Sequence, residues 1–163
     1  MAGNDRLVHP ISTGELERRW RAVRSAMDEQ GLDALIMQNN NEFLGGYVKW
    51  FTDSPARNAY YQTVLFPRDG GMTVVRQGPM GGVREVPADD FANRGIERLL
   101  TNPSYTSVHY ARHYDAEQVL ETLKRRGKNK WCYIRSNRTF RRIRYKSAFR
   151  RGTLRAGFSP AGP

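Results

Sequence analysis

The 163-residue, 18.7 kDa chain has room for one ordinary domain, or for one domain and a tail. Its 39 % hydrophobic content and 18 aromatic residues exclude wholesale disorder; its one cysteine, Cys132, excludes an internal disulfide framework and a multi-cysteine metal site. The net charge of +11 is unevenly spread: residues 1–123 hold 13 basic residues and all 16 acids, whereas 124–163 hold the other 14 basic residues and no acid.

Ser12-Thr13-Gly14-Glu15 has the spacing of a capping box, in which the Ser12 hydroxyl and the Glu15 carboxylate satisfy each other's free N–H groups. Leu16, Trp20, Val23 and Met27 follow as one apolar stripe at helical spacing, and Gly31 supplies a left-handed end. Leu32 to Met37 is an apolar run of strand length, expected to be buried on both faces. Asn39 to Phe51 reads as a long connection with turns on either side of Phe43-Leu44. Tyr61 to Phe66 and Met72 to Arg76 read as a hairpin around Pro67-Arg68-Asp69-Gly70-Gly71. Residues 77–105 carry no clear period, and Ile96, Leu99 and Leu100 fit either a short helix or a strand. Asp115 is placed to N-cap a helix that buries Val119, Leu120 and Leu123 and stops at Gly127, ahead of a strand at Trp131 to Ile134. Helices alternating with buried strands predict an α/β domain.

No complete active site can be assembled from the body. His109 and His113 stand four apart, but the Glu that a zincin places beside its first His is missing and no third ligand is in view. Asp89-Asp90 are adjacent, so their side chains diverge and a solvated turn fits better than a carboxylate pair. Gly78-Pro79-Met80-Gly81-Gly82 lacks the Lys-Ser/Thr of a phosphate loop and reads as a turn. Cys132, without a His nearby in sequence, reads as a small buried hydrophobe. The cluster Phe43, Tyr47, Trp50, Phe51, Tyr60 and Tyr61 is denser than one loop needs, which fits either a binding surface or core packing.

Glu17-Arg18-Arg19, Met27 and Gly31-Leu32-Asp33-Ala34-Leu35 resemble the first helix and "GLDAL" strand of the creatinase/prolidase (Xaa-Pro aminopeptidase-like) amino-terminal domain. Asn40-Asn41-Glu42-Phe43-Leu44-Gly45-Gly46-Tyr47 resembles that family's next segment, "N-x-x-Y-L-x-G-F", with Phe for Tyr, Gly for Thr or Ser, and Tyr for Phe. Tyr114-Asp115-Ala116 and Lys124-Arg125-Arg126-Gly127 also fit its course, so the resemblance covers roughly residues 10–130. It implies a ribonuclease H-like mixed sheet flanked by helices, here incomplete, over residues 1–130, with a basic irregular tail at 131–163. Full-length members hold two divalent metals (Mn, Co or Zn) in a separate catalytic domain, whose ligands cannot be carried over to this chain. The amino-terminal domain helps to assemble the dimer and lends side chains to the neighbouring subunit's pocket. The resemblance therefore implies a homodimer or a partner catalytic domain, no hydrolase activity of the chain alone, and no catalytic or metal-binding residue of its own. Tyr47, Trp50, Phe51 and Arg57 are the residues to be lent.

The chain leaves that course near Trp131. At the body's acid frequency, 40 residues would carry about five acids, and the tail has none, as an out-of-frame or truncated end would produce. Loss of a closing helix and strand would leave the hairpin and the Ala34 strand with an unpaired edge or an uncovered face. The alternative reading is a nucleic-acid-binding protein acting through Arg141, Arg142, Arg144, Arg150 and Arg151 interleaved with Phe140, Tyr145 and Phe149, or else a stand-alone dimerisation module. The tail matches no recognition motif, so no specific nucleic acid is expected. Apolar runs are too short for a bilayer and the amino terminus has no secretion pattern, so no membrane partner and a cytoplasmic location are expected.

Overall fold

The computed structural model describes residues 10–39, 46–54, 61–103 and 114–134. In chain order the elements are α1 (Thr13–Glu29), β1 (Ala34–Asn39), α2 (Gly46–Thr52), β2 (Gln62–Pro67), β3 (Met72–Gln77), β4 (Gly82–Glu85), a 3-10 turn (Phe91–Asn93), β5 (Ile96–Asn102), α3 (Tyr114–Arg125) and β6 (Trp131–Ile134). The strands form one mixed sheet in the order β4-β5-β3-β2-β1-β6. Strands β1, β2 and β3 are successively antiparallel, β5 runs parallel to β3, β6 runs parallel to β1, and β4 closes the far edge antiparallel to β5. The chain is an α/β protein with its sheet flanked by helices. Among the described residues no helix is long and apolar enough to cross a membrane.

Strand alternation sorts the side chains into two cores. Leu35, Met37, Val64, Phe66, Val74, Leu99 and Cys132 meet Leu16, Trp20 and Met27 of α1 and Val48 and Phe51 of α2. On the opposite face Ala34, Ile36, Leu65, Val75 and Leu100 lie under Val119 and Leu123 of α3. The β1 run is thus buried on both faces, and Cys132 is a buried hydrophobe whose thiol pKa is pushed up by that burial.

The Gly31-Leu32-Asp33-Ala34 sequence has a mechanical explanation. Gly31 takes a φ of +61° to end α1, and the Leu32 N–H donates back to the Met27 carbonyl. The Asp33 carboxylate then accepts the N–H groups of Asn129 and Lys130 at 3.1 and 3.0 Å, which brings β6 in beside β1. With β2 on one side and β6 on the other, β1 has no free edge, contrary to the exposed edge expected from the sequence. The sheet also continues four residues past the boundary drawn at residue 130.

Other expectations need correction. The Ser12 hydroxyl accepts the Glu15 N–H at 3.2 Å, but the Glu15 carboxylate turns outward to Arg18 and Arg19 instead of completing a capping box. The connection read over Asn39 to Phe51 contains a helix, α2. Asp115 lies inside the first turn of α3, not ahead of it, and Leu120 is 42 % exposed while Thr122 takes the buried position. Ile96, Leu99 and Leu100 form a strand. The Gly78–Gly82 segment is the expected turn. It arches over the end of β5, where the Thr101 hydroxyl donates to the Pro79 carbonyl at 2.8 Å and a Cβ on Gly82 would come within 2.2 Å of the Thr101 Oγ1.

Candidate functional site

Helix α2 has seven residues, too short to be stable alone, and is held by α1. Val48, Phe51 and Thr52 turn inward; Phe51 meets Phe66 edge-on with centroids 4.9 Å apart. Two donors from α1 satisfy carbonyls at the end of α2: the Trp20 indole N–H donates to the Phe51 carbonyl at 2.8 Å, and an Arg19 Nη1–H donates to the Trp50 carbonyl at 3.2 Å. Asp53 ends the helix at a φ of +54°, and its carboxylate accepts the Ile11 N–H and an Arg94 N–H. The outward face then presents Tyr47 and Trp50, each 40 % exposed. The Arg19 Cζ lies over the Trp50 ring, 5.1 Å from its centroid, in cation–π range. Hydrogen bonds from Arg18 foremost and from Arg19 lower the Glu15 pKa to about 2, so its carboxylate stays charged throughout the physiological range.

The four residues singled out from sequence therefore separate. Tyr47 and Trp50 share one exposed helix face. Phe51, expected on the surface, is 3 % exposed, because one residue on from Trp50 the helix has turned by about 100°, which carries its ring from the outward face to the core. Arg57 lies outside the described residues, as do His109, His113, Tyr60 and residues 135–163 of the basic tail. Asp90 is a turn residue, as expected: its carboxylate accepts the Ala92 N–H and the Asn93 amide at 3.1 and 2.8 Å.

A second polar cluster escaped the sequence reading. Under α3, the Asp115 carboxylate accepts the Thr63 hydroxyl at 3.0 Å and the Asn102 amide at 2.9 Å, with the Gln38 amide at 3.4 Å. Asn102 also donates to the Gln118 Oε1 at 2.9 Å, while its own Oδ1 meets no donor among the described residues. Burial raises the Asp115 pKa above its ordinary value, and the bonds from Asn102, Thr63 and Gln38 pull it part of the way back. The cluster sits at the carboxyl ends of β1 and β5, yet Asp115, Thr63 and Asn102 are all buried, so it fastens α3 to three strands. Its sequence signal was a run of uncharged polar residues at strand ends, which looks like ordinary turn composition.

A cleft of about 390 Å³ lies between α1 and the start of β5, lined among others by Glu17, Trp20, Val86, Pro87, Gly95 and Glu97. Its lining includes no Ser, Cys or His, and Glu97 is already engaged by Arg126 at 2.8 Å and the Gly71 N–H at 3.2 Å. Among the described residues no three His, Cys, Asp or Glu side chains gather to hold a metal ion. The exposed face of α2 carries two aromatic rings, Tyr47 and Trp50, with the Arg19 cation over the second. Comparison with family models and with curated proteins finds no match for this chain.

Proposed function

We propose that the body of this chain is a creatinase/prolidase-like amino-terminal domain, a non-catalytic unit that assembles with a second copy or with a catalytic domain through α2. The observation that carries this reading is the exposure of Tyr47 and Trp50 on one helix face, Tyr47 being the last residue of the Asn40–Tyr47 segment that resembles the family's motif and Trp50 following it by one turn. A mixed sheet flanked by helices is compatible with the fold the resemblance implies. Side chains presented in this way exclude water from a neighbour's pocket and orient substrate without bond chemistry of their own. Phe51 drops out of the lending set because its ring is committed to the core. The family's two divalent metals belong to the catalytic domain, and no residue of this chain is assigned to them.

Sedimentation velocity tests the reading, run on the chain alone and mixed with a separately produced catalytic domain of this family. A dimer or a mixed complex that disappears with Trp50→Ala is expected. A monomer in both settings, or an assembly indifferent to Trp50→Ala and Tyr47→Ala, removes it.

A further inference from the structure

We propose that Arg19 is a positioning residue that clamps the Trp50 indole in one outward orientation; its purpose rests on the reading of α2 as the partner-facing helix. An isolated indole on a seven-residue helix would sample several rotamers, each of which must be given up on binding. Arg19 removes that freedom from two directions. Its Nη1 donates to the Trp50 carbonyl at 3.2 Å, fixing the backbone, and its Cζ lies over the ring, 5.1 Å from the centroid. Glu15 holds the guanidinium itself: the Arg19 Nε donates to the Glu15 Oε1 at 2.8 Å, an i, i+4 pair on α1. Phe51 supports the ring from the core side, edge-on at 4.9 Å.

The Arg19 side chain is 18 % exposed, against 65 % for its neighbour Arg18, which binds the same carboxylate from the solvent side. One arginine is thus spent on solubility and helix pairing, the other on α2. The guanidinium spreads its donors over a rigid fork that reaches the Glu15 carboxylate and the Trp50 carbonyl at once, whereas a lysine ammonium gathers its donors on one atom and holds the same partners less firmly.

The test uses the full chain labelled with 5-fluorotryptophan, whose three fluorine resonances are assigned with Trp50→Phe and Trp131→Phe. In Arg19→Gln the Trp50 resonance is expected to move towards the position of a freely exposed indole and to narrow, while the Trp20 and Trp131 resonances stay in place. Arg19→Lys should fall between the two, and Glu15→Gln should loosen the ring without touching it directly. Association through α2 should weaken about 3- to 10-fold in Arg19→Gln, the cost of ordering one side chain at an interface. A Trp50 resonance unmoved in Arg19→Gln overturns the clamp. A resonance that moves while association stays at its original strength upholds the clamp and removes the partner-facing reading of α2.

Discussion

Arg94 and Asp53 meet at 2.7 Å between Nη2 and Oδ2, with both side chains less than a tenth exposed. The pair joins three places far apart in sequence. Asp53 closes α2, Arg94 leads into β5, and both bond the Ile11 backbone at the approach to α1, through its N–H and its carbonyl. Phe91 lies against the guanidinium, 4.4 Å from its ring centroid. Removing one partner of a buried pair strands the other charge, so Asp53→Ala is expected to cost about 3–5 kcal/mol. Urea unfolding measures this, and a loss under about 1 kcal/mol would show that Arg94 finds another partner.

Gly95 stands beside Trp20 with a φ of +69°, and a Cβ there would lie 2.3 Å from the indole Cη2. Gly95→Ala therefore meets two penalties, a left-handed backbone of about 1–3 kcal/mol and an overpacked ring of similar size. A marked fall in Tm is expected, with quenching or shift of Trp20 fluorescence. An unchanged Tm would mean that the α1–β5 contact is looser than the geometry describes.

Adjacent Trp50 and Phe51 should respond unequally to truncation. Phe51→Ala empties a core position against Phe66 and should cost about 3–5 kcal/mol. Trp50→Ala removes a ring that is 40 % exposed and should cost well under half as much. Equal losses in denaturant unfolding would contradict the division of α2 into a core face and a presenting face.

Asp115 gives the protein a pH dependence of definite sign. Its folded pKa is raised by burial above the ordinary 3.8, so its stabilising contribution is complete below that value and is lost as pH rises through the folded pKa. The stability of the wild type relative to Asp115→Asn should therefore fall as pH is raised from about 4 towards 7. Paired urea titrations at the two pH values decide it, since a difference that grows with pH would mean a carboxylate stabilised in the fold.

The run of 14 basic residues without an acid in 124–163 should bind RNA, DNA and heparin alike. The logarithm of affinity should fall linearly with the logarithm of salt concentration, with no dependence on base sequence. Binding that discriminates between sequences and survives high salt would favour a nucleic-acid function for the tail.

The local elements were legible because their signals are local. The α1 stripe, the Gly31 stop, the β2–β3 hairpin and the β6 run are written within a few residues by period and turn chemistry, and the structure forms each of them. Helix α2 was not legible: Val48, Phe51 and Thr52 make barely one helical repeat after two glycines, and the helix exists because Trp20 and Arg19 reach its carbonyls from α1. Leu99-Leu100 could be read as strand only once a helix covered each face of the sheet, since adjacent apolar residues satisfy no single-faced period. Asp115 has the sequence of a cap and the position of a core group, because Thr63 and Asn102 arrive from distant strands to solvate it. Sequence alone determined where the chain turns and what each segment prefers. Which side chains are buried, paired or presented was decided by packing between segments remote in the chain, and on that packing rests the outward face of Tyr47 and Trp50.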